Sequence, residues 1–289
     1  MFVQARPNAK TASQILLLFP AAAVFIVFLA LPMMAVVAES FHTFVPGRIG
    51  SMEGGPLTTK NYADLIDPAY IRYFSQTYFL AFCASVIAVL IGFPIANYIV
   101  RSASTRARKI WLFALIGLMF LSALVRIYAI QLTFGQGGIV ASLLSTFGVD
   151  TTGYMYINVV VMVGLLHYEI PMCILILIGA VLHVNPRLTE AAQSLGASVS
   201  KAHLTITVPL CVKGLVSAFL VSMTVGVAAF AIPLILGRGR ILFISNLIYS
   251  RFSEIADTPS GSSIAVVMTV LSLLLIFVLS RLTTRLDRT

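Results

Sequence analysis

Long apolar runs separated by short polar segments dominate the pattern of this chain. A helix needs roughly 20 mostly apolar residues to cross a bilayer, and six runs are long enough. They cover residues 15–38, 75–100, 110–132, 155–183, 212–236 and 262–281. The pattern therefore predicts an all-α integral membrane protein with six transmembrane helices.

Composition and charge agree with a membrane protein and indicate its orientation. Only 10% of the 289 residues are charged and 59% are hydrophobic, whereas soluble domains carry about a quarter charged residues. With the N-terminus inside, twelve of the 19 lysine and arginine residues fall on inner segments, as the positive-inside rule requires. We therefore expect both termini to be cytoplasmic, and the net charge of +9 needs no nucleic-acid partner.

The chain reads as one transmembrane domain, residues 13–289, after a short cytoplasmic tail at residues 1–12. The longest outer connection, residues 39–74, predicts a short helix near residues 62–66. Residues 237–261 carry apolar side chains at helical spacing and predict an amphipathic helix. Asp257 is then the start signal for the last span.

A polar segment at residues 185–210 separates the fourth and fifth predicted spans on the inner side. Asn185 is a candidate N-cap and Pro186 suits the first helical position. Gly196 stands where a left-handed C-terminal cap is needed. Ser198 then starts a second short helix through about residue 204, and Pro209 ends it, so the segment predicts helix, glycine turn, helix.

The first of these helices presents a narrow apolar face to a partner. The face consists of side chains at i, i+3, i+4 and i+7, namely Leu188, Ala191, Ala192 and Leu195. Glu190 lies beside this face near the positive end of the helix dipole. Small alanine side chains would allow close approach to a groove on another protein.

The residues of this segment resemble the EAA coupling loop of the permease subunits of ATP-binding cassette (ABC) importers. The resemblance is carried by the EAA run with the following glycine and by the proline near its end. It implies that a cytoplasmic ATPase subunit docks on a coupling-helix loop between helices 4 and 5. The implied contact residues are Glu190, Ala191, Ala192, Leu195, Gly196 and Pro209.

Three further stretches resemble the spermidine/putrescine branch of these permeases. They are LTTKNYADLIDPAYIRYF (57–74), VRIYAIQLTFGQGGIVASLL (125–144) and FAIPLILGRGRILFISNLIYSRFSEIADTPSGSSIAVVM (230–268). The resemblance implies a bacterial inner-membrane subunit that imports a polyamine together with a second homologous permease. An extracytoplasmic binding protein would deliver the solute, and ATPase subunits, as a homodimer, would drive its transport.

Other functions receive less support from the sequence. The chain has no G-x-x-x-x-G-K-[ST] loop, so ATP and Mg²⁺ would bind the partner ATPase and this chain would hold no cofactor and catalyse no reaction. An ion channel would leave the polar segment unexplained, and an intramembrane enzyme would need motifs that are absent. The alternative solutes are another organic cation, an amino-acid-like compound or a sugar-acid conjugate.

Two ionisable residues fall inside the predicted spans. Glu169 lies near the bilayer midplane, where a charge is costly unless it is paired or hydrated. It either lines the translocation path and contacts a cationic amine, or is held by a neighbouring tyrosine or histidine inside the bundle, or is kept protonated. Arg126 is expected toward the outer end of the third span, either with its head group extended to the interface or in contact with the solute.

Aromatic side chains supply the remaining candidates for the path. Tyr128, Tyr168, Phe230 and Tyr249 would line it through cation–π contacts, or they are ordinary packing residues and interface anchors. His167 has no second ligand at metal spacing, and the three cysteines read as small buried hydrophobes. We therefore expect no metal site.

Overall fold

The computed structural model describes residues 19–47 and 56–286, with side chains described as far as residue 281. The predicted tail at residues 1–12 and the first residues of the 15–38 span lie outside the described residues. Within the described part the chain is helical, without strands. Five helices are long and apolar enough to span a membrane, and a sixth span is completed when one bent helix pair is counted as one.

The helices are numbered in chain order. They are α1 (Phe19–Glu39), α2 (Lys60–Asp64), α3 (Pro68–Arg101), α4 (Thr105–Phe120), α5 (Ala123–Phe134), α6 (Ile139–Thr146), α7 (Tyr154–His183), α8 (Pro186–Ser194), α9 (Val199–Ala202), α10 (Val208–Leu210), α11 (Val212–Val227), α12 (Ala231–Leu236), α13 (Ile244–Tyr249) and α14 (Thr258–Leu286). Three short π-helical turns interrupt or join them, at Ile26–Ala30, His203–Thr207 and Ser250–Glu254.

The chain divides into two compact units, and the larger one contains residues 67–247 and 268–286. Its centre is a bundle of three mutually packed helices, α3, α7 and α11. Lipid does not drive helices together as water does, so small residues that allow close backbone approach stabilise such contacts. On α3 these residues are Ala81, Ala84, Ala88 and Ala96, each fully buried.

The smaller unit contains α1, α2 and the chain from residue 248 to residue 267. Tyr62 meets Ser40 through their hydroxyls at 2.6 Å, and Asn61 donates to the Ser40 carbonyl at 2.9 Å. Thr258 at the start of α14 donates to Glu39 at 2.7 Å. The predicted N-cap Asp257 accepts a hydrogen bond from the Ser260 N–H at 3.1 Å, which confirms the start signal.

The second, fourth and last predicted spans correspond to α3, α7 and α14, although α3 and α14 begin earlier than predicted. The third prediction, residues 110–132, is wrong as one continuous helix. Leu121 and Ser122 are extended, with ψ of 137° and 129°, and separate α4 from α5. Apolar residues flank this break on both sides, so hydropathy does not reveal it. The long apolar helical stretch here is instead Ala123–Thr146.

The fifth predicted span, residues 212–236, is also interrupted. Helix α11 ends at Val227, and α12 follows after three residues. The carbonyls of this break are satisfied by side chains: Ser245 donates to Ala229 at 2.6 Å and Asn246 donates to Phe230 at 3.0 Å. Before α11, the helical stretch Val199–Leu210 meets it at a bend of 71°, and these two together form the sixth candidate span.

Candidate functional site

The polar segment at residues 185–210 folds locally as its sequence predicts. Asn185 accepts a hydrogen bond from the Arg187 N–H at 3.0 Å and caps α8. Gly196 has φ of +91°, the left-handed conformation expected at a glycine cap. The Ala197 N–H donates to the Ala192 carbonyl at 3.0 Å, and Ser198 caps α9 through the Lys201 N–H at 3.4 Å.

One local prediction for this segment is wrong. Pro209 does not end the second helix, because the helical backbone continues through the π turn into α10 and breaks at Cys211. Proline at residue 209 occupies one of the first positions of α10, where its missing N–H costs little. The second helical stretch, Val199–Leu210, is therefore longer than the predicted second helix.

The candidate coupling residues lie on the surface of the chain. Glu190, Ala191, Gly196 and Pro209 are exposed, and Ala192 is half-buried. Leu195 is 90% exposed and lies on a polar segment outside the predicted membrane spans. Leu188 and Leu204 are exposed as well, so the segment presents an apolar surface that nothing within the described part of this chain covers.

Arg101 at the end of α3 fixes the position where the segment begins. Its Nη2 atom donates to the carbonyls of Val181 at 3.1 Å and Val184 at 2.5 Å. These carbonyls lie at the C-terminal end of α7, where cations are favoured. This contact was not predicted from the sequence, although a basic residue in the last turn of a predicted helix is a usable signal.

Glu169 lies inside the three-helix bundle. Its side chain is 1% exposed, and its Oε2 atom accepts a hydrogen bond from Ser222 of α11 at 2.6 Å. A Cβ atom at Gly226 would lie 2.8 Å from Oε1, so the glycine provides the room for the carboxyl. Oε1 has no hydrogen-bond partner among the described residues. In this conformation Glu169 joins α7 to α11 inside the bundle, and its partner is a serine instead of the expected tyrosine or histidine.

Arg126 differs from its predicted placement. Its side chain is only 5% exposed, so its head group does not extend to the surface of the chain. The guanidinium carbon lies 5.0 Å from the centre of the Tyr168 ring, and Tyr168 is near the middle of α7. Arg126 is therefore at mid-depth of the bundle, beside the middle of α7. It lies close to the start of α5, which begins only after the break at residues 121–122.

The four aromatic candidates for the path lie on different elements of the chain. Tyr168 contacts Arg126, and Tyr128 on the same helix as Arg126 is 55% exposed. Phe230 is half-buried at the break between α11 and α12. Tyr249 belongs to the smaller unit. Their role in solute passage stays a prediction.

No group of three or more possible metal-binding side chains occurs among residues 19–47 and 56–286. A pocket of about 660 Å³ lies between the C-terminal half of α3 and the helical residues that follow Ser198. Its lining includes Asn97, Tyr98, His203 and Leu204. The polar segment therefore borders a cavity of the larger unit.

The long apolar helices define a helical integral membrane protein. The solved structures agree: the chain aligns over 98% of its length with a chain of a bacterial alginate ABC transporter in complex with an alginate-bound periplasmic protein, with a TM-score of 0.76 at 18% identity. A second structure of an alginate importer gives 0.73 at 17% identity. At such identities the likeness establishes the fold alone.

Sequence comparison specifies the branch. The spermidine/putrescine transport system permease protein PotB of Haemophilus influenzae is 30% identical, over 91% of both chains. PotB of Escherichia coli is 26% identical, over 88% of this chain and 91% of its own length. No protein-family model matches. The chain belongs to the PotB-type family of ABC transporter permeases.

Proposed function

We propose that this chain is one of two permease subunits of an ABC importer for a polyamine such as spermidine or putrescine. The observation that carries the proposal is the 30% identity to a spermidine/putrescine permease over 91% of both chains. In this proposal a binding protein delivers the solute from outside, and the chain lies in the bacterial inner membrane with both termini in the cytoplasm. The chain forms part of the path and holds no cofactor.

Separate ATPase subunits hydrolyse ATP and dock on the coupling loop, residues 185–210. The exposed Leu195 and Ala191 support this docking, because they leave an apolar surface on a polar segment, with the exposed Glu190 beside it. Arg101 ties the end of α3 to the end of α7 beside the loop. A movement of the loop would therefore be transmitted directly to helices of the central bundle.

The loop connects α7 to α11 along the chain, and these helices are also joined by the hydrogen bond between Ser222 and Glu169. Closure of the ATPase subunits would tilt the two helices as a pair. This tilt would open the path alternately to either side of the membrane, which is the kind of rigid-body rearrangement that packed helices permit.

Replacement of Gly196 by valine tests the docking. The left-handed conformation at φ of +91° costs an L-residue roughly 1–2 kcal/mol, and a β-branched side chain would distort the turn. We expect Gly196→Val to abolish ATPase co-purification and ATP-dependent putrescine uptake in proteoliposomes. Gly148→Val is the matched control, since Gly148 is also left-handed with φ of +77° and a Cβ atom there would meet nothing within 4 Å. If Gly196→Val still co-purified with the ATPase and still took up putrescine, the docking would be contradicted.

A further inference from the structure

Arg126 is a buried charge whose hydrogen-bonding capacity is not used within the described part of the chain. Its side chain is 95% buried, the complement of its 5% exposure. Nε and Nη1 have no hydrogen-bond partner among the described residues, and the contact with the Tyr168 ring satisfies the charge only through the π face. Buried N–H groups of a charged side chain are costly when unpaired, so a partner outside the described residues would stabilise this arrangement.

The guanidinium lines a pocket of about 270 Å³. The other lining residues are Leu118, Leu121, Val125, Ala129, Ile130, Thr133, Phe134 and His167. The Thr133 hydroxyl already donates to the Ala129 carbonyl at 2.8 Å. Arg126 is thus the permanently charged group of an otherwise largely apolar pocket, and it selects an anion.

The depth of the pocket restricts which anion can reach it. Tyr168 is near the midpoint of α7, a helix of 30 residues. The centre of a bilayer is about 15 Å from either headgroup layer. A lipid phosphate is therefore too far away. The anion must belong to the transported solute or to a protein side chain that enters the membrane.

Charge complementarity favours the protein side chain. A polyamine is a polycation, which Arg126 would repel. A carboxylate suits a guanidinium because both are planar and form two parallel hydrogen bonds. The pocket rim is apolar and open to contact by a partner helix, with Leu121 51% and Val125 60% exposed. Arginine surrounded by apolar surface is typical of residues that dominate binding energy at protein interfaces.

We propose that the Arg126 pocket receives an acidic side chain of the second permease subunit and is a docking point between the two permeases. The inference rests on the proposed function, since it requires a second permease. In this proposal the acidic side chain accepts the hydrogen bonds of Arg126, and it does so only in the assembled importer.

The test uses the assembled importer, with this chain tagged and its second permease, ATPase and binding protein co-expressed. Arg126→Met removes the charge and keeps an apolar side chain of similar length. Thr146→Val is the matched control, because Thr146 does not line the pocket and its exposed hydroxyl donates to the Leu143 carbonyl of its own helix at 2.6 Å. Three quantities are measured: the tagged chain in the membrane, the second permease recovered with it, and putrescine uptake with γ-aminobutyrate as competitor. This competitor has four carbons, as putrescine has, with a carboxylate in place of one terminal CH2–NH3⁺ group.

We expect Arg126→Met to reach the membrane in normal amount and to bind the second permease at least about tenfold more weakly, the scale of one lost charge-assisted hydrogen bond. Putrescine uptake should fall in parallel, while Thr146→Val should resemble the unmodified chain. Arg126→Lys retains the charge without the planar fork and should give intermediate recovery of the second permease.

Three results would overturn the proposal. In the first, Arg126→Met retains the second permease and transports normally. In the second, it retains the second permease but loses only the inhibition by γ-aminobutyrate, which would assign the carboxylate to the solute. In the third, both Arg126 variants disappear from the membrane, which would make Arg126 a folding residue. An unmodified importer that assembles but takes up no putrescine would instead refute the polyamine assignment, and recovery of the second permease would still test the pocket.

Discussion

Gly226 is a point of very close contact in the central bundle, and its replacement by alanine tests the packing around Glu169. A Cβ atom there would lie 2.8 Å from Glu169 Oε1, 3.0 Å from Ala81 Cβ and 3.3 Å from Ala81 Cα. The last of these belongs to the backbone of α3, which cannot rotate away as a flexible side chain does. Glu169 is held by Ser222 at 2.6 Å. The added methyl group must therefore separate the helices or break this hydrogen bond.

Two effects of opposite sign decide the magnitude. Alanine is favoured over glycine in a helix by about 1 kcal/mol, whereas a methyl group forced into a packed core costs about 1–3 kcal/mol. We expect Gly226→Ala to lower the free energy of unfolding by about 1 kcal/mol overall. Gly179→Ala on α7 is the control, because a Cβ atom there meets nothing within 4 Å. It should be neutral or stabilising.

The assay is thermal unfolding of the purified importer in detergent. Gly226→Ala should unfold a few degrees lower than the unmodified protein, since roughly 2–4 °C correspond to 1 kcal/mol in chains of this size class. Adding Ala81→Gly removes the atom at 3.0 Å and should restore part of the loss. If Gly226→Ala were as stable as Gly179→Ala, the tight contact between α3, α7 and α11 would be refuted.

Two further predictions concern the hydrogen bond inside the bundle. Ser222→Ala should destabilise the importer by about 1 kcal/mol, the upper part of the range measured for hydrogen bonds between membrane helices. Ser217→Ala should have a smaller effect, because that hydroxyl donates to the Lys213 carbonyl of its own helix. Equal unfolding midpoints for the two variants would contradict the Glu169–Ser222 hydrogen bond. Glu169→Gln retains an acceptor for Ser222, so the amount of chain in the membrane should not change. Putrescine uptake should nevertheless fall if the proposed path includes this carboxyl, and normal uptake would exclude Glu169 from it.

Local signals in the sequence predicted the coupling segment well. The cap at Asn185, the left-handed Gly196 and the cap at Ser198 all depend on residues within a few positions of each other. The wrong prediction concerned Pro209, which lies near the start of α10 within the helical stretch Val199–Leu210 instead of ending it. Proline is compatible with both roles, because the first helical position needs no N–H donor. The sequence therefore left two local structures open, and the bend came two residues later.

The site residues inside the membrane were harder to predict. The hydroxyl that binds Glu169 comes from Ser222, on another helix and 53 residues away, and no spacing rule links the two. Arg126 was expected near the membrane surface because the third span was taken as one helix. The break at residues 121–122 moves it to mid-depth beside Tyr168, and this placement carries the inference about the second permease.

By itself the sequence determined that the chain crosses the membrane through helices, roughly where most of them lie, and that a polar segment of helix, glycine and helix separates two of them. Those properties follow from the transfer of about 20 consecutive apolar residues into lipid and from hydrogen bonds between near neighbours. The tertiary structure alone decided which helices form the central bundle, where two spans are interrupted, and which side chains meet Glu169 and Arg126. These depend on the shape of surfaces distant in sequence, because close packing between helices is set by small residues whose positions hydropathy does not distinguish.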